Sequence, residues 1–199
     1  MHDDPFYHEG MREWQAETDS VRLADRLLDR TVTERLAENH GKFIAQSPFF
    51  FLATADAAGR PDCSYKGGQP GFVQVLAPDL LVFPDYDGNG MFRSLGNIRS
   101  NPWVGLLFIR FAPPARLRVN GRAEVVTDDP LLTELPGAQR LVRVRVGRVF
   151  PNCPRYIHTM ALDSLSEYAP GENVTPPEPA WKAQAEFRDV LPGKPRERG

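Results

Sequence analysis

Between Phe49 and Phe150 the chain is a succession of short apolar or alternating runs, each stopped after a few residues by Gly, Pro, Asp or Asn. This feature constrains the fold most. Period-two alternation assigns side chains to the two faces of a strand, and closely spaced turns leave little room for long helices. Phe49 to Asp56 reads as a buried strand, Ala57-Ala58-Gly59-Arg60-Pro61 as a turn, and Asp62 to Lys66 as the returning strand. Phe72 to Leu76 and Leu80 to Phe83 form a second pair about Pro78-Asp79. A short helix over Met91 to Arg99 stops at Asn101-Pro102, since proline disfavours helix in the residue before it. Trp103 to Arg110, Arg116 to Val126 and Gln139 to Phe150 complete the strands, with a short helix expected after Asp128-Asp129-Pro130. Six or more mostly antiparallel strands with brief connections predict a mainly β fold with flanking helices, arranged as a small closed or half-open barrel.

The flanks differ in character. Residues 1–17 read as a polar arm with scattered aromatics. Helices are expected over Ser20 to Arg30 and, capped by Thr33, over Thr33 to Gln46, where Leu36, His40, Phe43 and Ile44 share a face. His40 on that face reads as a core histidine. After residue 150 the chain is proline-rich, with a short helix expected over Ala180 to Val190 and a loose tail from Pro192 to Gly199. The predicted division is 1–47 for the arm and helices, 48–160 for the barrel, and 161–199 for the extension.

Charge narrows the function classes. A net charge of -2 conceals eleven arginines against four acids over residues 93–155, framed by acidic segments. That distribution suits an anionic ligand or an internal charge-pairing surface, and it does not suit nucleic-acid binding. No apolar run is long enough to span a membrane, and the polar start carries no secretory signal. Two cysteines, Cys63 and Cys153, provide neither a disulfide framework nor a structural metal site, so no metal is expected and a cytoplasmic setting is. Cys63 reads as a small filler within its strand.

Two segments can carry chemistry. In Pro84-Asp85-Tyr86-Asp87-Gly88-Asn89-Gly90-Met91-Phe92-Arg93-Ser94 a strand ends, a glycine-bearing loop follows, and a helix begins. The first N–H groups of such a helix lack internal partners and attract anions, with Arg93 and Ser94 in reach. The alternative is a plain capped helix with Arg93 in solvent. In Ser64-Tyr65-Lys66-Gly67-Gly68 a lysine stands at a strand exit beside two glycines, which admit a ligand or simply close a hairpin. Together these segments could hold a phosphate between Lys66 and Arg93. The arginine ladders, Arg116, Arg118 and Arg122 on one strand and Arg143 and Arg145 on another, read as solvated faces, a subunit interface or the wall of an anionic site. Cys153, Arg155 and His158 could line a pocket. No nucleophile elbow, dinucleotide fingerprint or Walker loop occurs, so hydrolase chemistry has no residues to rest on.

These residues resemble a known family. Phe50-Phe51-Leu52-Ala53-Thr54 with Gly59-Arg60-Pro61 and Ser64 to Lys66, Leu81-Val82-Phe83 before the loop, and Asn97-Ile98-Arg99-Ser100-Asn101-Pro102-Trp103-Val104-Gly105-Leu106-Leu107-Phe108 are similar to the pyridoxamine 5'-phosphate oxidase-like FMN-binding split-barrel family. Arg93, nine residues before Pro102, falls on the family's phosphate-helix arginine. Phe6-Tyr7-His8-Glu9-Gly10, Gly88-Asn89-Gly90-Met91 and Pro151-Asn152-Cys153-Pro154-Arg155-Tyr156 resemble an uncharacterised subgroup.

The resemblance implies a Greek-key-like six-stranded split barrel and a homodimer with FMN sites at its interface. It implies phosphate contacts from Ser64, Lys66, Arg93 and Ser94, and cofactor contacts from Tyr65, Pro84, Asp85, Asn89 and Met91. Arg116 or Arg118 would come from the other subunit. Ser94 stands where true pyridoxamine phosphate oxidases usually carry lysine, and their C-terminal Trp and Arg-x-His elements have no counterpart beyond Arg155 with His158. The expected function is two-electron redox on an unknown small-molecule substrate. The alternatives are a flavin- or haem-binding carrier or sensor, with His158 as the available axial ligand, and an accessory protein that assembles through its arginine faces.

Overall fold

The computed structural model describes residues 6–192; residues 1–5 of the expected arm and the expected tail beyond Pro192 lie outside them. The elements are α1 (Glu9–Glu17), α2 (Val21–Thr31), α3 (Glu38–Gln46), β1 (Phe49–Ala55), β2 (Pro61–Gly67), β3 (Gln74–Ala77), β4 (Leu80–Asp85), α4 (Arg93–Ser100), β5 (Trp103–Phe111), β6 (Pro114–Val126) and β7 (Arg140–Pro151). Single 3-10 turns occupy Pro130–Leu132 and Ala180–Ala183.

All pairings are antiparallel, and the order is β2-β1-β5-β6-β7-β4-β3. The strands number seven rather than six, and the sheet is not closed: β2 and β3 are its free edges. The β1–β2 hairpin is set by Asp56, whose Oδ1 accepts the N–H groups of Ala58 and Arg60, each at 2.9 Å, with Gly59 at φ 79°.

Alternation sorts the faces as the sequence predicts. Phe50, Leu52, Leu81, Phe83, Leu106, Phe108, Leu117, Val119, Val142 and Val144 face one buried core. The Phe50 ring meets those of Phe83 and Phe108 at centroid separations of 5.0 and 5.1 Å. In β7 the alternation changes phase at Gly147: Gly121 pairs with Val146, whereas Asn120 pairs with Arg148. The extra residue of this bulge restores Val149 to the core.

The flanks depart from expectation in three places. Glu9–Glu17 is helical, docked on α2 through Arg12, whose Nη1 donates to Asp25 at 2.7 Å. The helix expected from Thr33 begins only at Glu38, because Thr33 exchanges backbone hydrogen bonds with Val149 of β7 and Leu36 N–H donates to the Pro78 carbonyl. His40 therefore sits at the start of α3, where Nδ1 accepts the Ala37 N–H at 3.2 Å, rather than in the core; burial lowers its pKa. The helix expected over Ala180 to Val190 is one 3-10 turn followed by further turns.

Candidate functional site

On β2, residues Asp62, Ser64 and Lys66 share the face turned inward, since they pair with the buried Thr54, Leu52 and Phe50 of β1. Lys66 is half-buried. Burial holds its ammonium below the ordinary lysine pKa, and the carboxylates of Asp85 and Asp62 act in the opposite direction. Arg93, the first residue of α4, donates from Nε to Asp62 Oδ1 at 3.1 Å. The start of β2 and the start of α4 are therefore joined by the Arg93–Asp62 pair, and Lys66 stands four residues further along the same strand face.

Helix α4 begins after Phe92, which is left-handed at φ 49°, and no side chain caps it. Its first N–H groups thus face an approaching anion without an internal acceptor. The helix is held to the sheet by Asn97, whose Nδ2 donates to the buried Thr54 hydroxyl at 3.0 Å. Ser94 is buried. Asp85 ends β4 and accepts from Arg140 Nη1 at 3.0 Å. The same guanidinium lies over the Phe92 ring, 4.9 Å from its centroid. Pro84 is buried in β4, and burial pushes the neighbouring Tyr86 phenol up to about 12. In the loop, Asn89 Oδ1 accepts the Met91 N–H at 3.1 Å, while the Met91 side chain is exposed.

Other predicted residues go elsewhere. Ser64 shares the Lys66 face, but its hydroxyl turns to the Tyr65 carbonyl at 3.5 Å. Tyr65 points to the opposite face, stacked on Phe49 at 5.3 Å, because neighbouring strand residues alternate. Arg116 and Arg118 stand on the outer face of β6. Arg116 Nη2 donates to the Cys153 carbonyl at 2.8 Å, leaving Nε buried without a partner. Arg118 lies over the Phe150 ring. Arg155 contacts the Cys153 thiol, lowering its pKa through its backbone N–H and then its side chain, and also lies over the Tyr156 ring. Arg155 and His158 are both exposed, in a stretch without regular secondary structure.

The outer face carries an open groove of about 1540 Å³, lined among others by Phe51, Cys63, Trp103, Leu107, Arg118 and Cys153. Lys66 is not among the residues that line it. Cys63 is exposed there instead of filling the core. The β7 arginines pair internally: Arg140 with Asp85, Arg143 with Asp129, Arg145 with Asp79 and Arg148 with Glu34. Three further residues escaped sequence reasoning. Asp62 was legible from its i, i+2, i+4 spacing with Ser64 and Lys66. Arg140 and Asn97 gave no local signal, because their partners are 55 and 43 residues away. Among the described residues no cluster of His, Cys, Asp and Glu could hold a metal, and no helix is long and apolar enough to cross a membrane.

The open antiparallel sheet, with α4 inserted between β4 and β5, agrees with a comparison of sequences: residues 36–153 match the Pyridoxamine 5'-phosphate oxidase family. The chain belongs to that family, and its fold is the family's split barrel. Among solved structures it is similar to a putative pyridoxamine 5'-phosphate oxidase from Lactobacillus delbrueckii, with 27% identity over 59% of this chain and 95% of that one, at TM-score 0.49. It is also similar to an FMN-binding protein from Syntrophomonas wolfei, with 10% identity over 71% and 97%, at TM-score 0.44. A third is HutZ, the haem storage protein from Vibrio cholerae, with 20% identity over 58% and 94%, at TM-score 0.40. No curated protein matches the chain.

Proposed function

We propose that this protein binds FMN and acts as an oxidoreductase on a small-molecule substrate. The observation that carries this reading is the Arg93–Asp62 pair at the uncapped start of α4, with Lys66 on the same face of β2 as Asp62. Lys66, Arg93 and Asp62 together leave one positive charge, and the free helical N–H groups add to it. That donor set fits a phosphate. Arginine offers a planar fork, lysine a point charge, and the helix start a set of backbone donors.

In this reading Lys66, Arg93, Ser94 and Ser64 hold the phosphate, and Arg93 exchanges its Asp62 partner for the anion. Pro84, Asp85, Asn89 and Met91 border the ring system. Arg140 fixes both ends of that border, by its bond to Asp85 and its packing on Phe92. Bound FMN would supply two-electron transfer between a donor and an acceptor. The chain's own part is to anchor, orient and shield, and no side chain described here is set up as a general acid or base.

The partner proposed is a second copy of this chain. The outer face exposes Tyr65 and Trp103 beside Phe51 and Leu107, an apolar surface of the kind that subunits cover. Arg116 and Arg118 lie on that face and would reach the partner's site. A cytoplasmic setting accords with two free, exposed cysteines.

The test compares FMN with riboflavin by titration against the purified protein. FMN is expected to bind more tightly by roughly 1.5–3 kcal/mol, the worth of a charged hydrogen bond. Arg93→Ala should remove most of that difference. Equal affinities for the two flavins would refute phosphate anchoring.

A further inference from the structure

Beyond the family match, residues 154–168 are nearly all exposed, and then Ala169 and Pro170 are buried. Burial at a single point in an extended, proline-rich stretch marks a docking site. The Ala169 carbonyl accepts from Gln69 Nε2 at 3.3 Å. Pro170 packs on Gly137, where a Cβ would come within 2.6 Å of the proline ring, and Tyr86 borders the same spot. Gly137 has φ 75°, so this backbone is both shaped for glycine and left open for Pro170. A second anchor follows at Lys182, whose Nζ meets Asp87 Oδ2 at 2.5 Å. Asp87 is also reached by Gln139 Nε2 at 3.5 Å.

The two anchors have a shared meaning. Gln69 lies three residues after Lys66, and Asp87 two residues after Asp85. The extension therefore ties the exit of β2 to the loop after β4, the two segments that flank the candidate phosphate site. It does so where the sheet is open. Asp87 is half exposed, whereas the Lys182 side chain is largely buried as it reaches across to it.

We propose that residues 166–183 form a strap across the mouth of the site, latched by the Lys182–Asp87 ion pair, and that unlatching sets the rate at which the phosphorylated flavin enters and leaves. This rests on the flavin reading above. Tyr86, pinned between Pro170 and the core, transmits the position of the strap to the loop bearing Asn89 and Met91.

The experiment follows FMN release from the full-length protein by recovery of flavin fluorescence after dilution, with thermal unfolding as a control for folding. Lys182→Ala, and separately Ala169→Glu, should speed release by about tenfold with an unchanged unfolding midpoint. The exchanged pair Asp87→Lys with Lys182→Asp should restore slow release, and added salt should speed release in the unaltered protein more than in Lys182→Ala. Lys182→Gln serves if the alanine variant does not fold. Release rates equal to that of the unaltered protein in all variants, with FMN still bound, overturn the strap and leave the flavin site standing. Failure of the unaltered protein to bind FMN removes the flavin site and the strap with it.

Discussion

At the scale of single residues, Lys66 governs how the site should respond to pH. Its ammonium is held below the ordinary 10.5 by burial. The cation needed for phosphate binding is therefore present below that depressed value and lost as pH rises through it. FMN affinity measured across a pH series should begin to fall before the ordinary lysine range is reached, and Lys66→Arg should abolish the fall, since arginine stays charged. The same depression acts on folding: the unfolded chain binds this proton more tightly, so Lys66 makes stability rise with pH from its folded value up to 10.5. Asp62 gives a second prediction. It holds Arg93 in an exposed pair and places a negative charge in the path of the phosphate. Asp62→Asn should tighten FMN binding by about 0.5–1 kcal/mol in a calorimetric titration. Weaker binding would mean that Asp62 orients Arg93 rather than competing for it.

At the scale of elements, the bulge in β7 is the critical joint of the sheet. A Cβ on Gly121 would stand 2.3 Å from the Arg145 carbonyl oxygen, a backbone atom that cannot swing aside. Gly121→Ala should lower stability by about 1–3 kcal/mol in urea denaturation, the cost of overpacking. A neutral result would show that the β6–β7 ladder can slip. The elements that the sequence revealed are those with internal logic: β1 follows its apolar run, β6 and β7 follow their alternation, and α4 stops at Asn101-Pro102. Those it misplaced were decided by distant partners. Thr33 had the residue type of a helix cap, but Val149 claimed its backbone. Residues 1–17 read as an arm because their apolar face is sparse, and α1 forms there against α2.

At the scale of the whole molecule, the basic middle of the chain proves to be internal wiring as much as a ligand surface, since the β7 arginines each meet a carboxylate. The proposed dimer would use the outer face of β1, β5 and β6, where Trp103 is exposed. Sedimentation should report a dimer at micromolar concentration, and Trp103→Glu should shift it toward monomer while weakening FMN binding. A dimer unaffected by that substitution would move the interface elsewhere.

Local sequence determined which residues are strands, where turns fall, and which of two faces each side chain takes, because alternation and turn chemistry act over a few residues. It also marked Lys66 and Arg93 as ligand-holding types. Only the tertiary fold decided that Arg93 reaches Asp62, that Arg140 reaches Asp85, and that the C-terminal extension returns to Gln69 and Asp87. Each of those outcomes depends on strand order and closure of the chain over long separations, and no local pattern encodes them.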